Sequence, residues 1–272
     1  MDLKKLVAEN EDVFENMKSL FTMKFDPVAD ELETYNGVEM QAVFKPYFAK
    51  YAYENYNPKE NDVLLVTYPK CGTNWTAEML AELMYTEEEK EFWKSFLALA
   101  ILESGPTIQK YEILNQIKTR NYLISHQPAM NINIEKYLKN KAKIVFVYRN
   151  PKDVAVSFFH FQKKIAPPQF RCDDWNEYDP EKEIRKLSNF LGLNKSDDEI
   201  NRVVEATSFN AMRQKQEDAK ANVNEVRKNM NLVRKGIIGD WKNHFTVAQS
   251  EAMDRLVAEK TKGMDFKFIF SA

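Results

Sequence analysis

Chemistry is concentrated first in TYPKCGTNW, the run from Thr67 to Trp75, where an apolar stretch gives way to an amphipathic one. Lys70 brings a full positive charge, Gly72 permits close backbone approach, and Thr73 and Asn74 add side-chain donors. If a helix begins there, its unpaired N–H groups and dipole favour an anion at the same place, and phosphate is the natural occupant. The competing reading is a plain strand-to-helix turn with a snorkelling lysine and with Trp75 in the core. The nucleoside-triphosphatase loop GxxxxGK[ST] is absent, because Lys70 precedes the glycine. Cys71, as a thiol at a helix start, is either acidified or a small inert filler.

Two further places carry suitable groups. Arg149 offers a planar fork to phosphate oxygens and Ser157 an uncharged donor, against the alternative of a structural ion pair and an ordinary helix residue. His126, in ISHQP, carries the side chain that changes charge near neutrality and suits proton abstraction, although on these residues alone it reads as a structural histidine. His160 and His244 have no such context. The three histidines and two cysteines show no zinc spacing, and no carboxylate pair suggests a metal-centred mechanism, so no metal is expected.

The elements needed to position these groups are legible. VLLVTY from Val63, NYLIS from Asn121 and IVFVY from Ile144 are short, apolar and rich in β-branched or aromatic residues, as buried parallel strands are. Trp75, Met79, Leu80, Leu83 and Met84 recur at the spacing of one helix face, so Val63 to Met84 reads as strand, turn and helix. Asn150 caps a second helix with Pro151 at its first position and Val154, Phe158 and Phe161 on its apolar side. Glu181 to Leu191 reads as a helix closed by Gly192, and Ser196 with Glu199 forms a capping box for the next. Arg213 to Asn231 is polar enough to be a mobile surface segment and a cover for a ligand. The alternation predicts a single-domain, three-layer α/β fold over residues 1–272, with a central parallel sheet, helices on both faces and ligands at the carboxyl ends of the strands.

Composition sets the bounds. With 39 basic against 41 acidic residues the chain lacks the positive field of a bulk nucleic-acid binder. No stretch reads as a signal peptide or a bilayer span, so a soluble, cytoplasmic protein without nucleic-acid or membrane partners is expected. Cys71 and Cys172 are expected as free thiols.

TYPKCGTNW resembles the 5′-phosphosulfate loop of the cytosolic sulfotransferases, usually TYPKSGTTW, with Cys71 in place of the serine. YRNPKDVAVSFFHF from Tyr148 resembles that family's 3′-phosphate segment, and RKGIIGDWKNHFT from Arg234 its C-terminal RKGxxGDWKxxFT. The triplet Thr207, Ser208 and Phe209 resembles the family's TSF beside the adenine, and ISHQP its KTHLP. The resemblance implies the donor 3′-phosphoadenosine 5′-phosphosulfate (PAPS), with 3′-phosphoadenosine 5′-phosphate (PAP) as product. Residues Lys70 to Trp75 would surround the 5′ end and the adenine, and Arg149, Ser157, Arg234, Lys235 and Gly236 would hold the 3′-phosphate. His126 would be the general base and Lys70 would stabilise the leaving oxygen. Lys242, Thr246, Val247 and Glu251 fit the family's dimerisation pattern KxxxTVxxxE, which implies a homodimer.

The implied activity is sulfuryl transfer to a hydroxyl or amine of a small, mostly apolar acceptor. Phe158, Phe159, Phe161, Tyr85 and the aromatic N-terminal segment are candidates to line its pocket, or else core. Two departures support an alternative, a catalytically impaired nucleotide-binding or scaffold protein of the same fold. A helix-plus-strand unit is missing between Trp175 and Glu183, and Ile124 stands where the family has a lysine near the transferring group. A nucleotide kinase or triphosphatase ranks third, for want of the Walker lysine position and a magnesium carboxylate.

Overall fold

A computed structural model of the chain describes residues 3–20, 33–40, 44–105, 107–165, 196–206, 211, 214, 235–265 and 267–271. Near the N-terminus lie α1 (Leu3–Glu9), α2 (Glu11–Leu20), the hairpin of β1 (Glu33–Tyr35) and β2 (Val38–Met40), and α3 (Pro46–Asn55). Asn36 and Gly37 turn that hairpin with φ of 49° and 76°, the left-handed pair that a two-residue connection needs.

The centre is a parallel sheet. β3 (Val63–Thr67) lies between β4 (Tyr122–Ser125) and β5 (Lys143–Val147), with Val63 opposite both Tyr122 and Lys143, and Thr67 opposite Val147. β3 and β4 are buried along their whole length, as continuous apolar runs require. β5 is half-buried and shows Phe146 to solvent. Between the strands run α4 (Thr73–Met84), α5 (Glu87–Ser95), α6 (Leu97–Ala100), α7 (Gln109–Gln116) and α8 (Ile134–Lys139), and α9 (Pro151–Ile165) follows β5. Helices pack around the sheet in the expected α/β arrangement, and the helices Asp197–Ala206 and Val247–Lys260 complete the described set. Among the described residues no helix is long and apolar enough to cross a membrane.

α4 differs from the single-face expectation. Ala77, Leu80 and Ala81 join the main core, whereas Met79 and Leu83, with Trp75 against them, pack on Ile200 and Val203 of the helix Asp197–Ala206. The apolar stripe is wide because the helix has two partners. The caps fall as expected. Asn150 Oδ1 accepts the Asp153 N–H at 2.9 Å, and Ser196 and Glu199 form a reciprocal box at 3.0 and 3.4 Å. The expected helix Glu181 to Leu191, the gap between Trp175 and Glu183, Cys172, and all but Gln214 of Arg213 to Asn231 lie outside the described residues.

Candidate active site

The turn after β3 contains two residues in the left-handed region. Lys70 holds φ of 70°, which is uncommon for a residue with a side chain, and Gly72 holds φ of 113° at the cap of α4. The turn is closed by Cys71 N–H to Tyr68 O at 3.1 Å and Thr76 N–H to Gly72 O at 2.9 Å. A Cβ at position 72 would meet only Val147 Cγ1 at 4.0 Å, so dihedral freedom, not space, explains this glycine. Thr73 Oγ1 lies 2.5 Å from Thr67 Oγ1, and Asn74 is exposed. Trp75 is half-buried on the small cluster with Ile200 and Val203.

Cys71 is a buried free thiol. Burial pushes its pKa up, against the opposing backbone N–H and charge of Arg149. Of the two readings of this residue, the direction favours the small inert filler over the acidified thiol, because desolvation disfavours the thiolate.

Arg149 ties the turn to two other segments. Its Nη1 donates to Lys70 O and its Nη2 to Ile237 O, each at 3.4 Å. Lys70 Nζ lies 4.3 Å from the ring centroid of Phe161 on α9, the helix that also carries the buried Ser157. Lys235 forms an ion pair with the fully buried Asp240 at 2.9 Å, and Gly236 turns the chain with φ of 75°. Lys70, Arg149, Ser157, Lys235 and Gly236 thus belong to connected elements. Thr207, Ser208, Phe209 and Arg234 lie outside the described residues.

His126 follows β4, on the other side of β3 from β5, the strand that precedes Arg149. Its Nδ1 lies 2.8 Å from Thr67 O, and a carbonyl can only accept, so Nδ1 carries the proton and Nε2 is the ring's acceptor. Its backbone N–H donates to Glu103 Oε1 at 2.5 Å, and Phe44 packs edge-on against the imidazole at 5.6 Å. Glu103 is 1 % exposed and sits in a turn over β4, where Leu102 N–H donates to Ile124 O at 2.9 Å. Lys110 braces that turn by donating to the carbonyls of Ile101, Leu102 and Ser104, and burial pushes its pKa down to about 7 against the opposing charge of Glu103.

Other candidates fall elsewhere. Tyr85 is core, not pocket lining: its hydroxyl donates to Arg120 O and accepts from Tyr122 N–H, each at 2.8 Å, with its ring against Trp93. Ile124 is also buried in the main core. His160 and His244 meet each other at 5.2 Å beside Asp240. Thr246 caps Val247–Lys260 through Gln249, while Lys242, Val247 and Glu251 are exposed.

Glu103, Asp153 and Asp240 were not among the expected site residues. Asp153, an acid in the first turn of a helix, and Asp240, inside RKGIIGDWKNHFT, carried usable signals, whereas Glu103 carried none.

Comparison with known proteins finds relatives that cover most of the chain. The family model described as "Sulfotransferase domain" matches residues 60–178 and 176–265. The amine sulfotransferase of Oryctolagus cuniculus is 31% identical over 264 residues, spanning 80% of this chain and 86% of the relative. Sulfotransferase 2A1 of Homo sapiens is 27% identical, spanning 86% and 96%. Among solved structures, mouse sulfotransferase SULT7A1 complexed with PAP superposes with a TM-score of 0.66 at 25% identity, covering 86% of this chain and 96% of that one. Retinol dehydratase in a complex with retinol and PAP shares the fold, with a TM-score of 0.59 at 17% identity over 84% of this chain and 89% of that one.

Proposed function

The chain belongs to the sulfotransferase family, and from that premise we propose that it moves a sulfuryl group from PAPS to a hydroxyl or amine of a small, mostly apolar acceptor. The observation that carries this reading is the junction at Arg149, where one guanidinium reaches carbonyls of both the phosphate turn and the 235–241 loop. A nucleotide bearing phosphate at its 5′ and 3′ ends suits a site with cationic groups on both segments, and PAP is the nucleotide named with the SULT7A1 structure.

PAPS supplies the sulfuryl group, and the electrons of the broken S–O bond leave on the phosphate oxygen of PAP. His126 Nε2 takes the acceptor's proton as its oxygen or nitrogen bonds to sulfur. Lys70 and the N–H groups of the turn stabilise negative charge where it builds, by the positioning logic that governs phosphoryl transfer. Arg149, Ser157, Lys235 and Gly236 would hold the 3′-phosphate and Trp75 the adenine; the family resemblance adds Arg234 to the first group and Thr207, Ser208 and Phe209 to the second, all outside the described residues. Phe44, against His126, supports an apolar acceptor site beside the base.

Incubation with labelled PAPS and a panel of phenols, alcohols and amines tests the reading. Transfer is expected, with His126→Ala lowering it by about 10²-fold or more while thermal stabilisation by PAP persists. Stabilisation by AMP or ATP equal to that by PAP would sink it. A second reading, a nucleotide-binding protein without turnover, is favoured by Ile124, an apolar core residue two positions before the base; tight PAP binding with no transfer to any acceptor would select it. The homodimer through Lys242, Thr246, Val247 and Glu251 is part of the same proposal. It is supported by Val247, which is 76 % exposed at the start of its helix, and is tested by sedimentation of Val247→Glu against the parent.

A further inference from the structure

Asp153 occupies the first turn of α9 and is 1 % exposed, yet it has no part in the chemistry above. Its two oxygens gather donors from three places. Oδ2 accepts from Asn150 Nδ2 at 2.7 Å and from the Gly239 N–H at 2.8 Å, and Oδ1 accepts from the Trp241 N–H at 3.1 Å. Asn150 Nδ2 also donates to Ile269 O at 2.9 Å, drawing the C-terminal segment to the same point. Gly239 holds φ of 97°, which favours glycine, and a Cβ there would lie in ordinary contact with the Phe270 carbonyl at 3.4 Å.

The position of this carboxylate along the chain is informative. Asp153 lies four residues after Arg149 and four before Ser157, and Asp153 and Ser157 share one face of α9. The loop it holds by two backbone N–H groups is the one that begins with Lys235 and Gly236 and whose Ile237 carbonyl receives Arg149.

We propose that Asp153 is the positioning residue that fastens the 235–241 loop to α9 and so sets the geometry of the 3′-phosphate clamp, a role that rests on the clamp assigned above. A carboxylate suits this task because both oxygens must accept. An asparagine would keep one acceptor and turn its NH₂ toward another donor, leaving a buried N–H without a partner. The loop would then sit looser over the 3′-phosphate, while the 5′ cradle, built from residues 67–76, would keep its shape.

Titration calorimetry of the full chain with PAP and with 5′-AMP separates this role from general support of the fold. In Asp153→Asn, PAP affinity is expected to fall about tenfold while 5′-AMP affinity stays within about twofold, so that the ratio of the two Kd values collapses. Asn150→Ala, which removes one of the three donors, is expected to move the ratio the same way by a smaller factor, and it decides the matter if Asp153→Asn does not fold. A ratio equal to that of the parent in the folded variants overturns the proposal, because a purely structural carboxylate weakens both nucleotides alike. A parent protein with no preference for PAP over 5′-AMP overturns the clamp itself and the proposal with it.

Discussion

His126 Nδ1 donates to the main-chain carbonyl of Thr67, while Thr67 Oγ1 lies 3.3 Å from the same nitrogen and 2.5 Å from Thr73 Oγ1. One buried residue at the end of β3 therefore touches both the ring of the proposed base and the first residue of α4. Because a carbonyl sets the tautomer, the Thr67 hydroxyl is secondary for the base. Thr67→Val is expected to lower kcat by no more than about tenfold, against about 10²-fold or more for His126→Ala. Steady-state kinetics at saturating PAPS would show this, and a Thr67→Val loss as large as that of His126→Ala would make the hydroxyl part of the chemistry.

Glu103 is the acceptor for the His126 N–H and lies beside the braced turn of Lys110. Glu103→Ala leaves a part-buried donor without its partner and is expected to cost about 1–2 kcal/mol in urea unfolding. Glu103→Gln, which retains an acceptor oxygen, should recover most of that loss. Equal losses in the two variants would mean that the charge, and not the hydrogen bond, is what matters.

Lys110 gives the chain a pH signature. Its pKa is pushed down to about 7 by burial, so between that value and its ordinary 10.5 the unfolded chain holds more protons than the fold, and stability rises with pH. Buried Tyr111, Tyr122 and Tyr137 have raised pKa values and act oppositely above about pH 10, where the unfolded chain loses protons that the fold retains. Unfolding free energy is therefore expected to climb from pH 7 to about 9.5 and then fall. Lys110→Met should flatten the climb and spare the fall. A parent and variant with parallel profiles from pH 7 to 9.5 would contradict this.

Cys71 should be slow to alkylate in the native state. Burial raises its pKa and keeps the thiolate fraction low, so site-resolved mass spectrometry should find its reaction with iodoacetamide at pH 7.5 at least about tenfold slower than in urea. Equal rates would return the thiol to the acidified reading.

The sheet and the turn after β3 were legible because their signals are local. The apolar runs at Val63, Asn121 and Ile144 sit within a residue of the strands that form, and Lys70, Gly72 and Thr73 are adjacent in sequence. Periodicity showed that α4 has an apolar stripe but not that two bodies share it. Glu103 escaped notice because its donor is a backbone N–H 23 residues away, and a main-chain partner leaves no mark on residue type; Asp153 showed as a first-turn acid, but its backbone donors 86 and 88 residues away did not. For Cys71 the residue types allowed an acidified thiol or an inert filler, and the burial that favours the filler is a property of the assembled core.

The spans bridged by Asp153 bear on the order in which the protein comes apart. The 5′ cradle closes over fewer than ten residues on the most buried strand, while the clasp at Gly239 and Trp241 closes loops of 86 and 88 residues from one side chain. Long loops cost more chain entropy to close and form late in folding, and the weakest cooperative unit opens first on warming. Amide exchange in the empty protein should therefore reach the 239–241 backbone at lower temperature than β3. Bound PAP should draw the two openings together, which would make the nucleotide a fastening for the 235–241 loop as well as a product.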